Sequence, residues 1–144
     1  LGIITQSIRK RAATAQKGHY VAFVDYLGLV EPDHPTGNRY QDVSHITRAF
    51  KVLANELDVP IVLLSQLNRE NARNKREPEM YDLRDSGSIE QDANVVIFLY
   101  QEDEEDEDDA HREIIVKVAK NRDGARKKAR FEFTPAYMLF KEAR

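Results

Sequence analysis

Apolar residues fall along this chain in two rhythms. From Tyr20 to Tyr26 they run almost unbroken, with β-branched and aromatic members, and do so again over Ile61–Leu64 and Val95–Tyr100. Short continuous runs of this kind predict strands buried on both faces, as in a parallel sheet. Between the first two runs, Val43, Ile46, Phe50, Leu53 and Leu57 recur at spacings of three and four. That spacing predicts an amphipathic helix from about Gln41. An earlier helix is expected with Thr5 as N-cap and an end near Gln16, closed by Lys17-Gly18. Its apolar residues are few, so a thin buried face and a basic outer one are expected. Ile114–Ala119 predicts a fourth strand. Ala129–Thr134 and Tyr137–Lys141 predict a hairpin turned at Pro135-Ala136.

The polar stretches divide these elements. Leu27 to Tyr40 carries Pro32, Pro35 and Gly37 and predicts a long loop, a class that is usually functional or mobile. Asn68 to Met80 is polar and basic and predicts an exposed connection. Asp82 to Ala93 is charged, holds one glycine, and runs directly into the Val95–Tyr100 strand. Strand, helix and strand alternate first, and antiparallel strands follow. The expectation is one α/β domain over residues 1–144, mostly parallel in its sheet, with helices and an antiparallel C-terminal edge.

Composition narrows the class. At 144 residues, with 41% hydrophobic and 33% charged, the chain suits a soluble globular domain with a real core. No apolar run approaches the length needed to cross a bilayer, and nothing at the start resembles a signal peptide. Without cysteine there is neither disulfide nor thiolate metal site, which is compatible with a reducing cytosol. The four histidines show no metal-ligand spacing. Eight acids in a row, Glu102 to Asp109, hide a mildly basic remainder: with them set aside, the net charge of −3 becomes +5. This run reads as a solvated connection or as a mimic of nucleic acid that docks a basic partner.

Three positions could carry chemistry. Asp25 ends the first apolar run, where a carboxylate in a nucleotide-hydrolysing parallel sheet holds magnesium through water beside a triphosphate. It reads equally as a cap on the turn after a strand. Ser65-Gln66 leaves the second run in the same way. A neutral amide there can hydrogen-bond a terminal phosphate or a water, or be a polar strand exit with no partner. Lys120-Asn121-Arg122 precedes the turn signal Asp123-Gly124. By itself it reads as a basic turn.

Three blocks together, Val21–Tyr26, Ile61–Arg69 and Asp82–Ala93, closely resemble the C-terminal motor domain of the DnaB-type hexameric replicative DNA helicases, over essentially the whole chain. The resemblance implies a RecA-like fold, ATP and Mg²⁺ as cofactors, a homo-hexameric ring on single-stranded DNA, and loader and primase as partners. It makes Asp25 the magnesium carboxylate and Gln66 the sensor linking nucleotide state to DNA loops. Lys120 and Arg122 become a finger pair reaching a neighbouring subunit's ATP. Arg84, Asp85 and Gly87 match the loop that contacts the DNA backbone. Arg39 is the candidate within a second loop, Glu31–Tyr40. With no aromatic platform evident, DNA contact should be mostly to the backbone and salt-dependent.

None of the six glycines begins a G-x-x-x-x-G-K-[ST] pattern, so no phosphate-binding loop is present. The first residue is Leu. These features lead to the expectation of a piece of a longer motor domain without its phosphate-loop portion, inactive by itself and cytoplasmic. The other reading is a module without that loop that binds single-stranded DNA or a helicase ring without catalysis.

Overall fold

The computed structural model describes residues 1–68, 76–83, 86–101 and 111–143. The acidic run and the candidates Arg84 and Asp85 lie outside them. The chain divides into two compact units, residues 1–66 with 83–93, and residues 67–82 with 94–144.

The first unit holds α1 (Gly2–Thr14), β1 (Ala22–Val24), a 3-10 turn at Leu27–Leu29, α2 (Arg39–Leu57), β2 (Ile61–Leu63) and α3 (Ser86–Asp92). The periodic helix is α2. Asn38 caps it, its Oδ1 accepting from the Tyr40 and Gln41 N–H groups at 3.0 and 3.4 Å. This satisfies donors that the first turn leaves orphaned. Asp58 ends the helix in the left-handed region at φ 54°. Val43, Ile46, Phe50 and Leu53 are buried with Ile8, Ala22, Val24, Leu27 and Val30 in one core. Full burial of such side chains stabilises by about 1.5–3 kcal/mol each.

Strands β1 and β2 pair in parallel, Ala22 with Ile61 and Val24 with Leu63. Two further bonds continue the ladder past the strand ends: Leu64 N–H to Val24 O at 3.0 Å and Leu27 N–H to Leu64 O at 2.8 Å. The second unit is an antiparallel meander in the order β3 (Val95–Tyr100), β4 (Arg112–Asn121), β5 (Lys128–Thr134), β6 (Leu139–Glu142). A 3-10 turn at Pro135–Tyr137 joins the last two where the hairpin was expected, and Phe133 stacks on Phe140 at 4.5 Å.

The α/β class, with a parallel and an antiparallel part, is as expected. The antiparallel part is larger than the sequence suggested: among the described strands it takes in Val95–Tyr100. That strand's apolar run is compatible with either direction, because pairing direction is set by the partner.

Four further expectations need correction. Helix α1 starts at Gly2, not after Thr5, because the Gly2 N–H is met from 31 residues away by Asp33 Oδ1 at 2.9 Å. A local reading cannot see that cap. The early strands are not buried on both faces: Phe23 is 72% exposed, Ile97 53% and Leu99 59%. Their inner neighbours Ala22, Val24, Val96 and Phe98 are buried, so within this chain each strand has one covered face. The Asp82–Ala93 stretch is not all loop, since Ser86–Asp92 is helical. Part of the Asn68–Met80 connection expected to be exposed is not: Pro78 is fully buried.

Candidate functional site

Parallel pairing decides where Asp25 and Gln66 go. Asp25 follows the last residue of β1, and Ser65-Gln66 follows the Leu64 that extends β2. Both therefore leave the same carboxyl edge of the pair, and both are exposed there. In an open α/β sheet this is the edge where ligands bind. The turn after Asp25 is tight. A Cβ at Gly28 would lie 2.4 Å from the Tyr26 ring, so a larger residue there would have to displace that ring. A lone exposed carboxylate suits Mg²⁺, which keeps several waters and takes one or two carboxylates beside phosphate oxygens. Among the described residues no three His, Asp or Glu gather into a closed cage.

Arg39 is the first residue of α2, and its Nη2 donates to the Leu27 and Gly28 carbonyls, both at 3.3 Å. It thus ties the start of α2 to the turn that follows Asp25. The segment before α2 is held by Asp42, whose Oδ1 accepts from the Thr36 N–H at 2.9 Å and the Thr36 hydroxyl at 2.8 Å. The Thr36 backbone and hydroxyl donors keep the Asp42 carboxyl below the usual carboxylate range, against the effect of burial.

Gly87 lies in α3 against the same end of α2. A Cβ there would stand 3.0 Å from the Tyr40 hydroxyl oxygen. The structure therefore brings the Glu31–Tyr40 segment and the Gly87 turn together through Tyr40, a half-exposed aromatic that sequence reasoning passed over. The available signal was its position beside Arg39 at the head of a periodic helix. Helix α3 is also tied to α2 by Thr47, whose hydroxyl donates to Asp92 Oδ2 at 2.9 Å, with Arg48 3.6 Å from the same carboxylate.

Lys120 and Arg122 belong to the second unit. Lys120 lies inside β4 rather than after it, because the strand runs on to Asn121. A β-bulge precedes it: Ile97 pairs with Val118 but Val96 with Lys120, leaving Ala119 as the extra residue. Bulges re-aim side chains and are enriched beside functional sites. Arg122 is exposed, its N–H bonded to Asn94 O at 3.0 Å. Asn121 shapes the turn beyond, accepting from the Asp123 N–H and donating to Ala125 O, each at 3.3 Å. A Cβ on Gly124 would come within 2.6 Å of the Asn121 amide nitrogen, so a larger residue there would displace that side chain. Asn121 was read only as the spacer between two cations.

Comparison with known proteins shows the family to which the chain is similar. Residues 2–142 match the model of the DnaB-like helicase C terminal domain. The chain is 40% identical over 133 residues to the replicative DNA helicase DnaB of Geobacillus stearothermophilus, covering 90% of this chain and 29% of that protein. It is also 40% identical to the replicative DNA helicase DnaC of Bacillus subtilis, covering 96% and 32%. Among solved structures, a DnaB-like replicative helicase described with its primase interactions superposes with a TM-score of 0.87 at 33% identity, over 98% of this chain and 34% of that one. A second solved structure, an ATPase domain, gives 0.86 at 34% identity, over 98% and 50%. The chain spans about a third of the length of the two helicases named first.

Proposed function

Because the chain belongs to the DnaB-like helicase C-terminal domain family, we propose that it is part of an ATP-dependent replicative DNA helicase. That enzyme is a cytoplasmic homo-hexamer that translocates on single-stranded DNA and unwinds duplex, with a primase and a loader as partners. ATP and Mg²⁺ are the cofactors of the reading. The observation that carries it is the common carboxyl edge from which Asp25 and Gln66 emerge, in a fold shared with a replicative helicase and an ATPase domain.

Asp25 would hold Mg²⁺, which when bound would neutralise charge on the phosphates of ATP. The Gln66 amide hydrogen-bonds the terminal phosphate or the water near it, and its strand exit moves when that phosphate leaves. Lys120 and Arg122 reach into a neighbouring subunit's nucleotide, where the guanidinium fork neutralises charge developing on the transferred phosphoryl group. Arg84, Asp85, Gly87 and Arg39 line the DNA path. Arg84 contacts phosphate by charge, Asp85 holds loop shape, and Gly87 allows close backbone approach. Arg39 acts through the Leu27–Gly28 turn that it already grips.

The test is Arg122→Ala in the complete ring. Hydrolysis should fall by about 10³-fold or more, with hexamer assembly unchanged by size-exclusion chromatography. A mutant ring that hydrolyses ATP at the normal rate removes Arg122 from the finger role.

A further inference from the structure

The second unit contains a charge network that no role assigned above uses. Lys117 of β4 and Lys128 of β5 are directly opposed across the ladder. Like charges in that position repel. The Glu77 carboxylate sits between them and answers both: Oε1 accepts from Lys117 at 2.7 Å and Oε2 accepts from Lys128. Lys117 is the more buried and spends its remaining donors on the Pro78 carbonyl and Glu79 Oε1, both at 2.9 Å. An ammonium has three donors, so this one is saturated. Burial disfavours its charge, but the bonds to Glu77 and Glu79 outweigh that and hold its pKa above the ordinary lysine value. Residues 77–79 are thereby fastened to the β4–β5 sheet at three points.

The same segment is locked internally. The Asp82 side chain, 5% exposed, accepts the Arg76 fork at 2.7 and 2.5 Å and the Glu79 N–H at 2.7 Å. Its own N–H returns to Glu79 O and its carbonyl accepts from Asn68 N–H, both at 2.9 Å. Arg76 also lies over the Tyr81 ring, 4.8 Å from its centre. A surface connection does not need a buried, fully bonded carboxylate. Two residues later the chain reaches Arg84, and three residues along β4 from Lys117 stands Lys120.

The geometry points to Arg76, Glu77, Asp82 and Lys117 as positioning residues. They hold the chain entering the DNA-contacting segment in fixed relation to β4, the strand that bears Lys120 and runs to Arg122, so that hydrolysis responds to bound DNA. This inference rests on the reading of Arg84 as a DNA contact.

It is tested in the full-length hexamer by measuring ATP hydrolysis with and without single-stranded oligo-dT. Lys117→Met and Asp82→Asn should each leave ring assembly and DNA-free hydrolysis within about twofold of wild type. The stimulation by oligo-dT should fall about tenfold, an ordinary size for coupling between two sites. Glu77→Asp, which keeps the charge between the lysines, should restore most of the response lost in Glu77→Gln. Folded rings that keep wild-type stimulation overturn the inference, as does an equal loss with and without DNA. If Asp82→Asn does not fold, the more exposed Lys128→Met decides by the same comparison. Arg84→Ala separates the two readings. If it leaves oligo-dT binding and its salt dependence unchanged, the DNA-loop reading fails and this inference goes with it. If it weakens binding while the network variants respond normally, only this inference fails.

Discussion

Asp42 does more than occupy a helix surface. Both donors of Thr36 converge on one of its oxygens, holding the Pro-rich approach to α2 in shape. Those bonds favour the ionised form, so the folded pKa lies below the ordinary carboxylate value. A carboxylate so depressed stabilises the fold at pH above its unfolded pKa. That contribution is lost as pH falls through the folded value. Urea unfolding followed from pH 7 down to about pH 3 should show Asp42→Asn less stable than wild type at neutral pH and the gap closing in acid. A constant gap would mean the side chain acts by packing alone. Asp25, Gln66, Lys120 and Arg122 stand out in the sequence as candidates because each closes or follows an apolar run. Tyr40 and Asn121 do not, because their parts depend on Gly87 and on the turn at Gly124, neither of which a spacing reveals.

At the level of elements, α2 is the helix the sequence announces most plainly, and it organises the first unit's core. Phe50 is 2% exposed. Phe50→Ala should cost about 3–5 kcal/mol through lost transfer and a residual cavity. Val52, on the exposed face of the same helix, should change stability by no more than about 0.5 kcal/mol when made alanine. The shift in denaturation midpoint reads both, and comparable losses would contradict the burial. Helix α2 was legible because five apolar positions share one period. Helix α3 was not, since Ile89 is the one apolar side chain in its seven residues and its place comes from Thr47 and Asp92. Short apolar runs gave away the strands, but not direction or partner. The start of α1 was hidden because its cap comes from Asp33, distant in sequence.

At the level of the molecule, each strand of the apolar runs keeps one face bare in this chain. Phe23, Ile97 and Leu99 are the largest examples. Uncovered apolar surface of this kind drives association. The 144-residue chain alone should therefore bind a hydrophobic dye and sediment above monomer mass as concentration rises. Ile97→Lys with Leu99→Lys should reduce both effects. A chain that stays monomeric and dark to dye would refute this. The sequence did make the α/β class readable, and with it the shared edge of Asp25 and Gln66, because parallel pairing leaves such residues nowhere else to emerge. How much of the sheet is antiparallel was not readable, because it depends on which strands meet.

The carboxylate between Lys117 and Lys128 has a consequence for descent. Losing Glu77 alone leaves two ammonium groups face to face, while losing either lysine alone frees one of its oxygens. Substitutions at contacting sites are not additive, so these three positions form an epistatic unit. The order of loss therefore matters: a lysine can go first and the acid afterwards, whereas losing the acid first leaves two like charges opposed across the ladder.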